Sequence, residues 1–331
     1  MLGQKALEQL ADDVLIYIRS RSDKSRDIRK LAGRFKVDRG EIDAALNILE
    51  RWGYRLKRTR STVRFVAPPD LITATEIAWR LKTKWLGKNI HAYQSVKSTN
   101  DLAASLADAG AAEGTIVTSE EQTRGRGRFA RVWHSPSGKN IYVSIVMRPT
   151  FPPEQAPGMS IMAAVALAEA LEQYCPGKVQ IKWPNDVLIR GRKTAGILTE
   201  LSAERERIQH VVIGVGINVN LTADELPVEL LATATSVRRA TRKKTDRVAL
   251  LQSFLFHLEK RYEQYCRSGL KSMHRFVRQH SSLIGHEVRL FSGRRITSGL
   301  ARDIDQNGSL IIETPAGILA VTSGEVSIAK E

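Results

Sequence analysis

Hydrophobic positions recur at helical spacing from the start of the chain. Leu7, Leu10, Val14, Leu15 and Ile18 share one face of a helix over residues 6–20. A second helix is predicted from Ser25 to Phe35. A short Lys36-Val37 link then leads to Asp38, an N-cap residue for a third helix running through Trp52, with Ile42, Leu46 and Leu49 on one side. Two helices joined this tightly predict a helix-turn-helix. After Gly53, YRLKRTRSTVRFV has a strand-turn-strand rhythm around a basic tip, the pattern of a winged helix's wing. Pro68-Pro69 punctuates the end of this first domain, assigned to residues 1–66.

From residue 67 to 278 helical and strand signals alternate. Helical periodicity covers Asn100 to Leu106, Met159 to Gln173 and Val248 to Cys266. Strand signals cover Gly114 to Thr118, Ile141 to Val146, Val179 to Lys182, Val187 to Ile189, Thr194 to Leu201 and His210 to Asn218. Such mixing predicts an α+β domain, a sheet with helices packed on it. Residues 279–331 change again, to the short β-rich runs VRLFSG, ITSGLARDID, SLIIETPAG and ILAVTSG, the pattern of a small β-barrel.

Composition narrows the class. With 331 residues, 42% of them hydrophobic, the chain can bury a substantial core. A formal net charge of +16 favours an anionic partner, whether nucleic acid, nucleotide or acidic protein, without choosing among them. The two cysteines, Cys175 and Cys266, fit no zinc spacing and point to a reducing compartment. The opening MLGQKALEQLADDVLIYIRS lacks the order of a signal peptide, and no apolar run of about 18 residues occurs, so a cytoplasmic protein without membrane contact is expected.

Three stretches carry candidate chemistry. TRGRGRFAR, Thr123 to Arg131, puts four arginines around Gly125 and Gly127, a natural anion cradle, although such a run also suits an exposed basic turn or an RNA-binding segment. Its position between two ordered strands favours a site. KWPNDV, Lys182 to Val187, followed by RGRKTAGIL, reads on chemistry alone as a hairpin with a polar turn. GVGIN, Gly214 to Asn218, is by itself a weak signal, since glycine in a strand often marks a bulge. Zinc-hydrolase, serine-hydrolase and P-loop motifs are lacking.

Taken in order, SVKSTN (95–100), EEQTRGRGRFARVWHSPSGKNIYVS (120–144), KWPNDV, RKTAGIL and GVGIN resemble the successive motifs of the biotin protein ligases. The resemblance extends to both ends, in the form of that family that also represses biotin synthesis genes. It implies an N-terminal winged helix-turn-helix, a central class II synthetase-like mixed sheet with helices, and a C-terminal SH3-like barrel. The activity it implies is formation of biotinyl-5′-AMP from biotin and ATP with Mg²⁺. Biotin then passes to a lysine on the biotin carboxyl carrier domain of acetyl-CoA carboxylase. Operator DNA and a homodimer built by sheet extension are further family expectations. Two alternatives stand beside this: a transcription factor using biotinyl-adenylate only as effector, and a lipoate or octanoate transferase of the same fold.

By the same resemblance Ser98, Thr99, Asn100 and Gln122 would surround the ureido head of biotin. Gly125, Arg126, Gly127 and Arg128 would close over the carboxylate and phosphate, and Lys193 would touch both. Asn185 and Asp186 would hold Mg²⁺ or orient the incoming lysine, with Asp186 counted among the catalytic groups. Trp133 would pack beside adenine and Asn218 would read its edge, while Gly196, Gly214 and Gly216 would let the ligand lie against the sheet. Two positions depart from the family pattern: Ala130 stands for the third loop glycine, and Arg124 for a small residue. If position 130 needs positive φ, alanine there is strained. The DNA-contacting candidates are Arg39, Lys57, Arg58, Arg60 and Arg64, but the third helix opens with Asp38, Glu41 and Asp43, carboxylates that phosphate repels.

Overall fold

The computed structural model describes residues 2–20, 24–204, 206–292 and 295–329, and the chain divides into two compact units that meet in sequence between Leu71 and Ile72. The first contains α1 (Gln4–Arg19), β1 (Arg26–Asp27), α2 (Ile28–Phe35), α3 (Arg39–Arg51), β2 (Arg55–Arg58) and β3 (Thr62–Ala67), the strands forming an antiparallel sheet in the order β1-β3-β2. The apolar faces read from the sequence meet here: Leu10, Val14, Leu15 and Ile18 of α1 pack with Ile42, Leu46 and Leu49 of α3 and with Val63.

Two local features differ from the periodicity. The second helix begins at Ile28, because Arg26-Asp27 pairs with β3 and Asp27 then caps the helix by accepting the Lys30 N–H at 3.0 Å. The acids opening α3 belong to the helix itself. Asp38 and Glu41 form a reciprocal capping box, at 2.8 and 3.1 Å, which satisfies two otherwise orphaned N–H groups. This chemistry also consumes two of the five DNA-contacting candidates. Arg58 donates to Asn47, Glu50 and Asp43, and Arg39 pairs with Asp43 and donates to the Arg60 carbonyl. Lys57, Arg60 and Arg64 have no acidic partner among the described residues.

The second unit runs α4 (Ala74–Ala78), β4 (Ile90–Val96), α5 (Thr99–Asp108), β5 (Ile116–Gln122), β6 (Ile141–Met147), α6 (Gly158–Glu172), β7 (Val179–Lys182), β8 (Asp186–Ile189), β9 (Arg192–Glu204) and β10 (Arg207–Ile217). Its strands form one mixed sheet, β4-β5-β6-β10-β9-β8-β7, in which only β4 and β5 are parallel. Alternation along each strand sends side chains to opposite faces. Val117, Val146 and Val212 meet Ala103 and Ala107 of α5, while Ile116, Ile145 and Ile213 join the main core with α6. α6 is apolar all round and buried, with α8 (Arg247–Ser268) packed on it.

After α7 (Val237–Thr241), α8 and α9 (His274–His280) come β11 (Glu287–Ser292), β12 (Arg295–Ile304), β13 (Leu310–Thr314), β14 (Gly317–Val321) and β15 (Glu325–Ile328), an antiparallel sheet ordered β14-β13-β12-β11-β15. Gly293 of the predicted VRLFSG run lies outside the described residues. This sheet does not stand apart: Val288, Leu290, Leu310 and Ile312 belong to the same apolar core as α6 and α8. Trp183, buried, donates its indole N–H to the Gly308 carbonyl at 2.8 Å. No helix among the described residues is long and apolar enough to cross a membrane.

A buried ion pair closes the central layer. Arg247, at the start of α8, donates to Glu120 at 2.7 Å, both side chains 1% exposed, and the second Glu120 oxygen accepts the Ile72 N–H. Removing one charge leaves the other buried and unpaired, which costs about 3–5 kcal/mol. Arg247→Met should therefore lower the urea midpoint of the second unit, whereas a midpoint equal to that of the unaltered chain would show the pair to be energetically idle.

Candidate active site

On the α5 side of the sheet, three strand positions lack side chains, and other residues take the space. A Cβ at Gly214 would lie 1.9 Å from Oδ1 of Asn100, and one at Gly216 would lie 2.4 Å from Nε1 of Trp133. At Gly196 the Trp133 ring is again the neighbour, at 3.0 Å. The glycines admit the protein's own amide and indole against the sheet, and all three also line the cavity. Around this floor lies a cavity of about 550 Å³, a volume suited to a cofactor-sized molecule. Its wall brings together Ser98, Thr99, Asn100, Gln122, Arg126, Gly127, Arg128, Trp133, Asn185, Asp186, Lys193 and Asn218, residues far apart in the chain.

Each wall segment is positioned by local chemistry. Ser98 caps α5, so the polar Ser-Thr-Asn triplet sits at a helix start. The side-chain oxygen of Gln122 accepts the Thr99 N–H and hydroxyl at 2.9 and 3.0 Å, and Ser144 donates to Thr99 and Asn100. Asn100 is already committed, its amide donating to Glu200 and to the Leu198 carbonyl, so it braces the wall and has no free N–H to offer a ligand. Asn218, also buried, donates to the Thr235 carbonyl. Gly125 does not line the cavity. Its carbonyl accepts the Trp133 N–H, and a Cβ there would meet Ser135 Oγ at 2.6 Å, so it closes the base of the basic loop.

Residues 92–218 match the Biotin/lipoate A/B protein ligase family, and residues 283–328 match the Biotin protein ligase C terminal domain. The bifunctional ligase/repressor BirA of Bacillus spizizenii is 36% identical over 301 residues, covering 91% of this chain and 93% of the relative. The chain belongs to the biotin protein ligase family. The Mycobacterium tuberculosis biotin--[acetyl-CoA-carboxylase] ligase is 34% identical over 69% of the chain and 85% of its own length. Among solved structures, the Aquifex aeolicus biotin protein ligase in complex with biotin and ATP superposes with a TM-score of 0.64 at 28% identity, over 74% of this chain and all of that one.

In this family member three cations of the site, Arg126, Arg131 and Lys193, are paired with acids from elsewhere in the chain, and Arg128 is held by a carbonyl. Arg126 pairs with Asp101 and Glu200, and Lys193 with Asp186 at 2.8 Å, its ammonium also 5.3 Å from the Trp133 ring centre. Arg131 forks onto Glu325 of β15 at 2.6 and 3.0 Å, and Arg128 donates to the Gly324 carbonyl at 3.3 Å. The Arg131 hydrogen bond holds the Glu325 carboxyl below its ordinary range and raises the guanidinium in turn, while partial burial lowers that of Arg128. Glu200 and Glu325 carried no signal in the sequence. They become site residues only because β9 and β15 end up beside the loop, 74 and 194 residues away from their arginines.

The loop also resolves the alanine question. Phe129 and Ala130 both adopt φ of 55°, the left-handed region, so position 130 does carry the strain that glycine would avoid. The loop's apolar side chains are left in solvent, Phe129 66% and Val132 88% exposed at the cavity rim.

The metal expectation fits in a limited way. Among the described residues no three potential ligands cluster. Asp186 is a lone carboxylate paired with Lys193, and Asn185 is tied to Ile197 through both its amide and its backbone. Such a set suits Mg²⁺ that arrives on polyphosphate, not a dedicated metal cage.

Two measurements check this geometry. Gly216→Ala should expel Trp133 from the sheet, shifting tryptophan emission to longer wavelength and destabilising the second unit by about 1–3 kcal/mol. Unchanged emission would separate the indole from the glycine. Glu325→Gln should speed amide exchange across residues 124–132. Because the carboxyl is depressed, the pairing persists above the ordinary glutamate value of about 4.3 and is lost only as pH falls through the lowered one, so the unaltered loop should keep its protection at about pH 4.3.

Proposed function

We propose that this chain is a biotin protein ligase that makes biotinyl-5′-AMP and passes biotin to one lysine of a carboxylase carrier domain. The convergence of Lys193, Arg126 and Arg128 on a cavity floored by Trp133 carries this reading, and the activities of the relatives support it. In the first step a biotin carboxylate oxygen attacks the α-phosphorus of ATP, forming the mixed anhydride and releasing pyrophosphate. In the second the neutral ε-amine of the acceptor lysine attacks the acyl carbon, AMP leaves and the amide forms. Neither step needs an enzyme nucleophile, so the residues act by positioning and charge stabilisation.

Ser98, Thr99 and Gln122 are the hydrogen-bonding groups suited to the ureido head. Lys193 exchanges Asp186 for the reacting carboxylate and phosphate as a point cation that follows charge between them. Arg126 and Arg128 leave acidic and carbonyl partners to cover the anhydride, and the loop with Trp133 keeps water out. When bound, Mg²⁺ would neutralise nucleotide phosphate charge, with Asp186 and Asn185 its nearest protein groups.

A second role is favoured by one observation, the ligase/repressor that matches nearly the whole chain. Three helices with a three-stranded β1-β3-β2 sheet suit a winged helix-turn-helix, β2 and β3 being its wing, and the terminal five strands suit an SH3-like barrel. In that reading Lys57, Arg60 and Arg64 contact phosphate, while Arg39 and Arg58 serve the fold.

Purified protein with biotin, ATP, Mg²⁺ and a carrier domain should add one biotin mass to the carrier. Ligand binding without that increment would favour a transcription factor using the adenylate only as effector. Lys193→Ala should slow pyrophosphate release by about 100-fold or more with the fold retained; an unchanged rate would remove its assigned role. Ala130→Gly, by relieving the left-handed alanine, should slow loss of bound adenylate about tenfold in a chase experiment, and equal lifetimes would place the strain outside the closed loop.

A further inference from the structure

Two basic segments are linked beside the cavity wall, the first of them contributing Gly191 and Lys193 to its lining. Residues 190–193 carry three Lys/Arg and residues 238–244 carry five, with no acid in either. They are far apart in sequence but are joined by backbone pairing: Lys193 N–H donates to the Thr233 carbonyl at 2.8 Å, and Thr235 N–H donates to the Lys193 carbonyl at 2.9 Å. Thr233 and Ala234 line the cavity, and Ser236, two residues on, caps α7, from which the second basic run projects.

A charge run is ordinarily a solvated face, but this one is held rigidly. Ser236, fully buried, donates to the Leu221 carbonyl at 2.6 Å. Buried Asn220 grips Thr245 through both backbone groups, each at 2.9 Å. The turn between, at Arg242, is fixed in the left-handed conformation, φ 60°. Arg190, Arg192, Arg242 and Lys243 are exposed, and none of them forms an ion pair among the described residues, unlike Arg126, Arg131 and Lys193 at the site.

We propose that this face, Arg190 and Arg192 with Arg238, Arg242 and Lys243, docks the acidic surface of the protein that presents the acceptor lysine. The inference rests on the ligase reading and names what that site must receive. An acceptor lysine approaches as a cation toward a chain of net charge +16, so its own protein must supply compensating negative charge close to the lysine. A rigid, unpaired basic face at the cavity wall gives that charge a place to land, setting encounter rate and orientation. The ligase reading requires that a protein bring its lysine to this cavity, which favours a protein over a nucleic acid on the face beside it.

The test uses the full chain with an acidic biotin-accepting carrier domain and compares Arg242→Glu/Lys243→Glu and Arg192→Glu with the unaltered protein. The expected result is an unchanged rate of biotin-dependent pyrophosphate release, which also reports a folded site. With it should come a rise of about tenfold or more in KM for the carrier at similar kcat, and loss of the steep fall in transfer rate between low and about 0.3 M salt. The neutral Arg242→Gln/Lys243→Gln should fall between. A carrier KM within about twofold of the unaltered value overturns the proposal, as does loss of duplex-DNA binding with carrier KM preserved, which would assign the face to nucleic acid. Absence of any carrier biotinylation by the unaltered protein removes the ligase reading itself and is seen before any variant is made.

Discussion

The site depends on a steric constraint: two adjacent strands must be bare where other side chains lie flat against them. At Gly216 and Gly196 the indole of Trp133 occupies the space a side chain would need, and at Gly214 the amide of Asn100 does. This seating draws the basic loop onto the sheet from one side and the start of α5 from another, so that the cavity is formed between them. Register does the rest. Gly196 faces Gly216 across the β9–β10 ladder, and Lys193 leaves β9 three residues earlier, at the mouth of the same cavity.

Electrostatics then determines what the cavity can accept. Four of the cations that reach into it or its rim, Arg126, Arg128, Arg131 and Lys193, are balanced by carboxylates or a carbonyl from other elements: Asp101 from α5, Glu200 from β9, Asp186 from β8, Glu325 and Gly324 from the C-terminal segment. The cations are thereby pre-positioned without a ligand, and an anion exchanges partners with them instead of ordering free side chains, which lowers the entropic cost of binding. Fixing Arg128 and Arg131 to β15 also makes the C-terminal sheet part of the site, consistent with the core it shares with α6 and α8. Arg190, Arg192, Arg242 and Lys243 at the wall outside have no such partners among the described residues, and that contrast separates a site for a small anion from a face for a macromolecular one.

In the first unit the same bookkeeping reads differently. Asp38, Glu41 and Asp43 look like obstacles to phosphate when α3 is taken alone, yet two of them build a helix cap and the third neutralises Arg58 and Arg39. Residue type there indicated charge, but only the packing of β2 beside α3 showed where that charge goes.

Much was legible from the sequence, because it depended on local period or on motif order. The three N-terminal helices, the strands alternating with helices, the β-rich end and the arginine-glycine loop followed from hydrophobic spacing and turn residues, which act over a few positions. The motif series from Ser98 to Asn218 gathered at one cavity as the resemblance implied. Three things were decided only by tertiary structure. The glycines of β9 and β10 serve Trp133 and Asn100, because what fills a gap depends on what packs above it. Glu200 and Glu325 became partners of the loop through contacts that sequence periodicity does not encode. The left-handed turn at Ala130 is the last. Alanine at that position predicts the opposite preference, and the hydrogen bond from Gly127 N–H to the Arg131 carbonyl, 2.7 Å, closes the loop around it nonetheless.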